Sequence, residues 1–281
     1  MITIVAHRGL RNEAPENTRS AISAALSLSN ISGVEFDVEI SSDKKPVVVH
    51  QETMVLTKDG RSLQLADRNF TSRDWVGAMP RSELVKIKAG AWMNESFSSE
   101  TIPSLEQVLE LSWSNKIAFI ELKDPTYWSE NRDRDRPRRI VSAIAPVLKD
   151  YSKPFALICF NPEVLIECRK AFPEVPRVLA LWTEWEEKGI EQALLCANAC
   201  GARAITLPDI MVIKDIRWVS ECHNQGLEIH AYPVSPARNE PAFKSWTAES
   251  QKSSWESLRS IGIDSIVSDF ARETAAWLHR G

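Results

Sequence analysis

Short β-branched runs alternate with amphipathic helical stretches along nearly the whole chain, and this predicts an α/β fold, a (β/α)8 TIM barrel. Three observations carry the prediction. Eight runs suited to buried parallel strands lie near Thr3–Ala6, Gly33–Ile40, Ile117–Leu122, Phe155–Phe160, Arg177–Trp182, Ala202–Leu207, Leu227–Tyr232 and Asp264–Asp269. The stretches between them carry helix start signals. Gly201, Gly226 and Gly262 each stand just before a run, as left-handed helix C-caps do.

Taken in order, the first strand leads to a helix whose apolar stripe is Ile22, Ala25 and Leu26, beginning after Asn17-Thr18. The second strand is followed by Ser41-Ser42-Asp43-Lys44-Lys45 and then Pro46–His50. That gap is too short for a helical crossover, so Pro46–His50 is expected to be the return arm of a hairpin projecting from the barrel top. Residues from about 51 to 101 are polar, turn-rich and weakly periodic, and read as an insertion over the mouth. Ser104 with Gln107 forms a capping-box pattern, and Asn161-Pro162-Glu163 places an N-cap before a first-turn proline. Glu130–Arg139 interleaves both charge signs and reads as a solvated loop entering a helix. The whole chain, 1–281, is therefore expected to be one barrel domain with an inserted segment.

Composition narrows the class. With 281 residues, 43% hydrophobic and 26% charged, the chain can bury a sizeable core as a globular protein. A net charge of -4 argues against nucleic acid or an anionic membrane surface as partner. No apolar run reaches the ~20 residues of a transmembrane segment. Met1–His7 runs straight into a strand without a basic leader, and the expected location is cytoplasmic. The odd set Cys159, Cys168, Cys196, Cys200 and Cys222 suits reduced thiols there; the helical spacing of Cys196 and Cys200 reads as burial, not metal binding.

Chemistry concentrates in the first fifty residues. Strand C-terminal ends face the active site of such a barrel, and His7, Glu35, Asp37 and Glu121 all fall there. Glu35 and Asp37 are two apart on one strand, so they share a face and can share one cation. The return arm brings His50 beside them. Lys123 follows Glu121 on the same face. Three carboxylates without a cysteine or compact histidine cluster suit one divalent metal ion, Mg2+, Ca2+ or Mn2+, better than zinc. Any one of these pairs alone is an ordinary strand face or surface ion pair. Their convergence at one end of one barrel is what makes a metal-assisted phosphoryl site the expectation, with imidazoles for proton transfer and a guanidinium for phosphate oxygens.

His7-Arg8-Gly9, Pro15-Glu16-Asn17-Thr18, Glu35-Phe36-Asp37, Val48-Val49-His50, Ile102–Glu106 and Glu121-Leu122-Lys123 together resemble the glycerophosphodiester phosphodiesterase family. Ala89-Gly90-Ala91-Trp92 and the C-terminal Gly262–Asp269 extend the likeness over essentially the whole chain. The resemblance implies a metal-dependent phosphoric diester hydrolase that splits a small glycerophosphodiester into an alcohol and glycerol phosphate, a step of lipid metabolism. It implies His7 and His50 as the catalytic acid/base pair and Glu35, Asp37 and Glu121 as metal ligands. Arg8 and Lys123 would contact phosphate, and Glu16 and Asn17 would stand beside the site, Glu16 as a supporting or additional ligand. Trp92 would belong to the substrate surroundings, and the insertion would supply part of a lid.

Three departures from the family pattern stand out. His50 is followed by Gln51 where the family usually has Asp, which keeps a hydrogen-bonding group and loses a charge. Tyr232-Pro233-Val234-Ser235 stands where Trp-Thr-Val-Asn is common, near the eighth strand. Cys159-Phe160 replaces Ser-Phe at the fifth. Tyr232 and Arg238 are expected at the mouth, with the Arg238 fork suited to substrate hydroxyls. The changed rim leaves two alternatives within the chemistry, a sugar phosphodiester of the agrocinopine opine type or a lysophospholipid. A non-catalytic barrel that only binds is disfavoured, since both histidines and all three carboxylates are present.

Overall fold

The computed structural model describes residues 2–50, 55–56, 62–63, 75–130, 132–234 and 245–279. Its strands in chain order are β1 (Thr3–His7), β2 (Gly33–Ile40), β3 (Pro46–Val48), β4 (Val55–Leu56), β5 (Ser62–Leu63), β6 (Ile117–Leu122), β7 (Phe155–Cys159), β8 (Arg177–Ala180), β9 (Ala204–Pro208), β10 (Glu228–Tyr232) and β11 (Ser265–Ser268). Eight of these are parallel neighbours in the order β1-β11-β10-β9-β8-β7-β6-β2, and pairing of β1 with β2 closes the ring. The fold is the expected TIM barrel.

The alternation of side chains along each strand sorts them between two cores. Ile4 and Ala6 of β1, Val34, Phe36 and Val38 of β2, and Ile120 and Leu122 of β6 pack outward against the helices. Val5, Phe119, Ala156, Ile158, Val178, Ala180, Ala204 and Val267 form a second apolar cluster that fills the lumen. β2 breaks this rule. Its inward row reads Glu35, Asp37, Glu39, and all three are buried. A strand that is apolar outside and acidic inside has one reason to exist, which is a charged site in the lumen.

The helices start where the sequence signals lie. Thr18 caps Arg19–Leu26 by accepting from the Ala21 N–H, and Asn161 caps Pro162–Ala171. Ser104 and Gln107 form the capping box of Leu105–Leu109. Such caps are worth about 1 kcal/mol each. The five cysteines are all free.

β3 pairs antiparallel with β2, Val38 opposite Val48 and Ile40 opposite Pro46, so it is the return arm of a hairpin as expected. The strand numbering at the rim needs correction. Tyr232 ends β10, the seventh barrel strand and not the eighth, and Cys159 ends β7, the fourth and not the fifth. Within the 51–101 segment, Val76, Leu84, Ile87 and Ala89 pack with Val47, Val49 and Ile102 as a small separate apolar cluster against the return arm.

The loop after β1 is tied to the first helix through Gly9. Its φ is +82°, and a Cβ there would lie 2.5 Å from the Ala21 backbone carbon. Leu10 N–H donates to Ala21 O at 3.0 Å across the same contact. Gly9→Ala is therefore expected to destabilise the barrel by about 2–4 kcal/mol, combining backbone strain with overpacking. Urea unfolding at equilibrium checks this, and an unchanged midpoint would refute it.

Candidate active site

Strand register assembles the site. In the parallel pairing of β1 with β2, His7 stands beside Glu35; in that of β2 with β6, Asp37 stands beside Glu121. One ligand oxygen from each of Glu35, Asp37 and Glu121 lies within 4.8 Å of the others. The Val49 N–H donates to Asp37 O at 3.0 Å, which carries the return arm past β2 and delivers His50 to the same end.

Cations thread between the carboxylates. Arg8 places Nε 3.0 Å from Asp37 Oδ2 and Nη1 2.9 Å from Glu16 Oε1, while its backbone N–H donates to Glu35 Oε2 at 3.1 Å. Lys123 Nζ lies 3.0 Å from Asp37 Oδ1 and 2.5 Å from Glu121 Oε1. Asn17 clamps Asp37 from both ends: its Nδ2 donates to Oδ2 at 2.8 Å, and its Oδ1 accepts from the Asp37 N–H at 3.1 Å. Arg8 and Asn17 hold φ of +56° and +59°. Left-handed backbone at two non-glycine residues costs free energy, and their side-chain bonds to the carboxylates hold it in place.

These contacts set the charges. Burial, then Asp37 and Glu121, push the Glu35 carboxyl well above the usual glutamate range. Asp37 goes the other way. Burial would raise it, yet Arg8 and Lys123 hold it well below the usual range. Burial and the nearby Asp37 raise Glu121 against the pull of Lys123. Burial, then Arg8, lowers both His7 and His50, with Lys123 adding to the effect at His50. Glu35 Oε1 is buried and has no hydrogen-bond partner among the described residues. A buried carboxylate oxygen left without a donor, facing two more carboxylates, fits a hard divalent cation.

Several expected neighbours take more definite places. Glu16 bonds Arg8 and also Arg11, whose Nη2 is 2.8 Å from Oε2, so it holds the arginines. Trp92 lies in the turn at 91–93, its Nε1 donating to Ala89 O at 2.8 Å. The Tyr232 hydroxyl donates to Leu181 O at 2.6 Å and its ring stacks on Trp182, with centroids 6.1 Å apart. Gln51 and Arg238 lie outside the described residues.

Reading the sequence missed Arg11, Trp246 and the role of Asp269. His7 Nδ1 is 2.6 Å from Asp269 Oδ1, Arg11 Nη1 donates to the same oxygen at 3.0 Å, and Trp246 Nε1 donates to Oδ2 at 3.0 Å. Burial opposes the charge on Asp269, but Arg11 and His7 hold its carboxyl far below the usual range. The only signal for this was the position of Asp269 at the end of the last strand, beside β1 once the barrel closes.

Comparison with known proteins places the chain in a family. The sequence pattern described as the "Glycerophosphoryl diester phosphodiesterase family" matches residues 7–273. A Bacillus subtilis (strain 168) glycerophosphodiester phosphodiesterase is 24% identical over 250 residues, covering 83% of this chain and 77% of its own. Among solved structures, an Oleispira antarctica phosphodiesterase in complex with the product sn-glycerol-3-phosphate superposes with a TM-score of 0.73 at 22% identity, over 99% of this chain and 96% of that one. A glycerophosphodiester phosphodiesterase from Agrobacterium tumefaciens str. C58 gives a TM-score of 0.67 at 23% identity, over 98% and 100%. The structural likenesses establish the shared barrel; the match over 7–273 establishes kinship. The chain belongs to the glycerophosphoryl diester phosphodiesterase family and is a phosphoric diester hydrolase.

Proposed function

We propose that this protein hydrolyses a small glycerophosphodiester to an alcohol and glycerol phosphate, using His7 and His50 as acid and base around one divalent ion. The observation that carries this reading is the convergence of a buried imidazole, His50, a partly buried one, His7, and the Glu35, Asp37, Glu121 triad on one end of the barrel. When bound by that triad, the ion would act as a Lewis acid toward a phosphoryl oxygen. Arg8 already spends Nε on Asp37 and Nη1 on Glu16, so its remaining fork is the part that meets phosphate. Lys123 supplies a second positive charge held by Asp37 and Glu121. Both cations stabilise charge that grows on the non-bridging oxygens as the new P–O bond forms. The two imidazoles handle the proton leaving the nucleophile and the proton reaching the departing alkoxide.

The alcohol side of the site is aromatic. Trp128, Phe160, Tyr232 and Trp182 form a chain of ring contacts with centroids 6.5, 6.5 and 6.1 Å apart, and Lys123 Nζ lies 5.8 Å over Phe160. Such a wall beside the phosphate cations favours a second reading, in which a sugar phosphodiester stacks the C–H face of its ring there. Small, hydroxyl-rich diesters are preferred over long-chain lipid diesters in both readings. A substrate panel coupled to detection of glycerol phosphate tests them, and sole turnover of lysophospholipids would refute both.

Two predictions follow from the charges. Because the folded Glu35 carboxyl sits above its unfolded value of about 4.3, the ion-free protein loses stability as pH rises from there through the folded value. Above that window Glu35→Gln should melt higher than the unsubstituted ion-free protein. Adding Mg2+ or Mn2+ should raise the melting temperature of the latter and leave the variant unmoved. An equal ion-induced shift in both would remove Glu35 from the ligand set.

His7→Ala and His50→Ala should each lower kcat by ~10²–10⁴ with a much smaller change in KM, as general acid–base groups act mainly in the transition state. Steady-state kinetics on the best diester of the panel decides this. Near-normal kcat in either variant would deny that histidine a proton-transfer role.

A further inference from the structure

One carboxylate stands beside the aromatic wall without a partner. The wall itself is open at both ends, where Trp182 is 42% and Trp128 52% exposed. Tyr232 joins its two halves: the ring stacks on Trp182 at an interplanar angle of 15° and meets the Phe160 ring edge-on at 81°. The Tyr232 hydroxyl is tied down by Leu181 O at 2.6 Å. What the wall presents to a ligand is therefore ring surface, and the face of an aromatic ring is its negative side.

The charge around Tyr232 is negative as well. Burial, then Glu121, Glu184 and Asp209, pushes its hydroxyl well above the usual tyrosine range. Two of those three carboxylates are occupied. Lys123 bonds Glu121 at 2.5 Å, while Ser254 Oγ and the Ile210 N–H donate to Asp209 at 2.7 and 2.8 Å. Glu184 differs. It lies two residues beyond Trp182, and its Oε1 is buried with no hydrogen-bond partner among the described residues. Two cations stand over rings of this cluster, and both are paired elsewhere. Lys123, over Phe160, is held by Asp37 and Glu121; Arg132, over Tyr127, is held by Glu163 at 2.7 Å. A buried carboxylate oxygen costs free energy until a donor or a positive charge meets it.

Ring faces beside such a carboxylate suit an alkylated ammonium ion, whose charge is spread over its methyl and methylene groups and so packs against rings. The wall is also within reach of the phosphate cations. Lys123 Nζ lies 5.8 Å over Phe160, and Phe160 is the ring that touches Tyr232. A phosphate beside Lys123 has the wall at the distance of a short alcohol.

We propose that Trp182, Tyr232 and Glu184 are specificity-determining residues that select a diester whose leaving alcohol carries an alkylammonium group over diesters of neutral alcohols. The proposal rests on the phosphodiesterase reading above and narrows its alcohol; stacking of a neutral sugar on the same rings is the rival outcome. The attraction is to a charge that the substrate carries before and after reaction. It therefore acts on KM more than on kcat.

The test removes the charge and keeps the shape. The glycerophosphodiesters of choline and of 3,3-dimethylbutanol differ by nitrogen against carbon at one centre. The choline diester should have the higher kcat/KM by about tenfold or more, mainly through KM. Glu184→Gln keeps the side-chain shape, and Trp182→Leu changes an exposed ring, so both should fold. Each should bring the ratio between the two diesters below about threefold. The ethanolamine diester separates two sources of such a cation: a rate below that of the choline diester assigns the site to methylated ammonium, an equal rate to any ammonium alcohol. Equal turnover of the choline and dimethylbutanol diesters, a ratio unchanged in both variants, or a preference for a neutral sugar diester would each overturn the proposal. Choline alone should shift the indole N–H resonance of Trp182, assigned by its loss in Trp182→Leu, and 3,3-dimethylbutanol at the same concentration should shift it less. If the protein turns over no diester, the phosphodiesterase reading fails, while this titration still decides the ammonium site, and an unmoved Trp182 resonance would sink it.

Discussion

The rest of the structure depends on keeping a cluster of ionised side chains dry at one end of a barrel. Glu16, Glu35, Asp37, Glu121 and Asp269 face Arg8, Arg11 and Lys123, all of them buried or nearly so. Removing such charges from water costs several kcal/mol apiece, and only dense pairing with good hydrogen bonds offsets it. Local features that look unrelated serve this pairing. Gly9 lets the first loop lie on the first helix, Arg8 and Asn17 accept left-handed backbone, and Asn17 uses both ends of its amide on Asp37. Five carboxylates against three permanent cations leave an excess of negative charge. The raised carboxyl of Glu35 is where that excess collects, and a divalent cation is the simplest group that would neutralise it.

Much of this was legible before any fold was known, because alternation on a strand is a two-residue rule. Reading Val34-Glu35-Phe36-Asp37-Val38 gives the apolar outer face and the acidic inner face of β2 directly, and the register with β6 then fixes Glu121 beside Asp37. The short link from Ile40 to Pro46 gives the hairpin, since no helix fits in it. Caps at Ser104 and Asn161 were legible because each acts within three residues.

What escaped was what the closure of the barrel creates. His7 and Asp269 are 262 positions apart and Arg11 and Asp269 258, so no local pattern ties them. An aspartate after a strand and an arginine in a loop each look like ordinary solvated residues until β1 pairs with β11.

The closed ring also divides labour. β1, β2, β3 and β6 deliver the acidic, basic and imidazole groups, while β7, β8 and β10 end near Phe160, Trp182 and Tyr232. Lys123 stands at the seam, bonded to Asp37 and Glu121 on one side and over the Phe160 ring on the other. The charged half is over-determined, since almost every group in it has two or more partners whose loss would strand a buried charge. The aromatic half is held by ring contacts worth about 0.5–1.5 kcal/mol each beyond area burial, and replacing one ring leaves no charge exposed to a dry interior. On the function proposed above, changes of leaving group would be tolerated on that half, and the phosphate chemistry would stay where the ion pairs confine it.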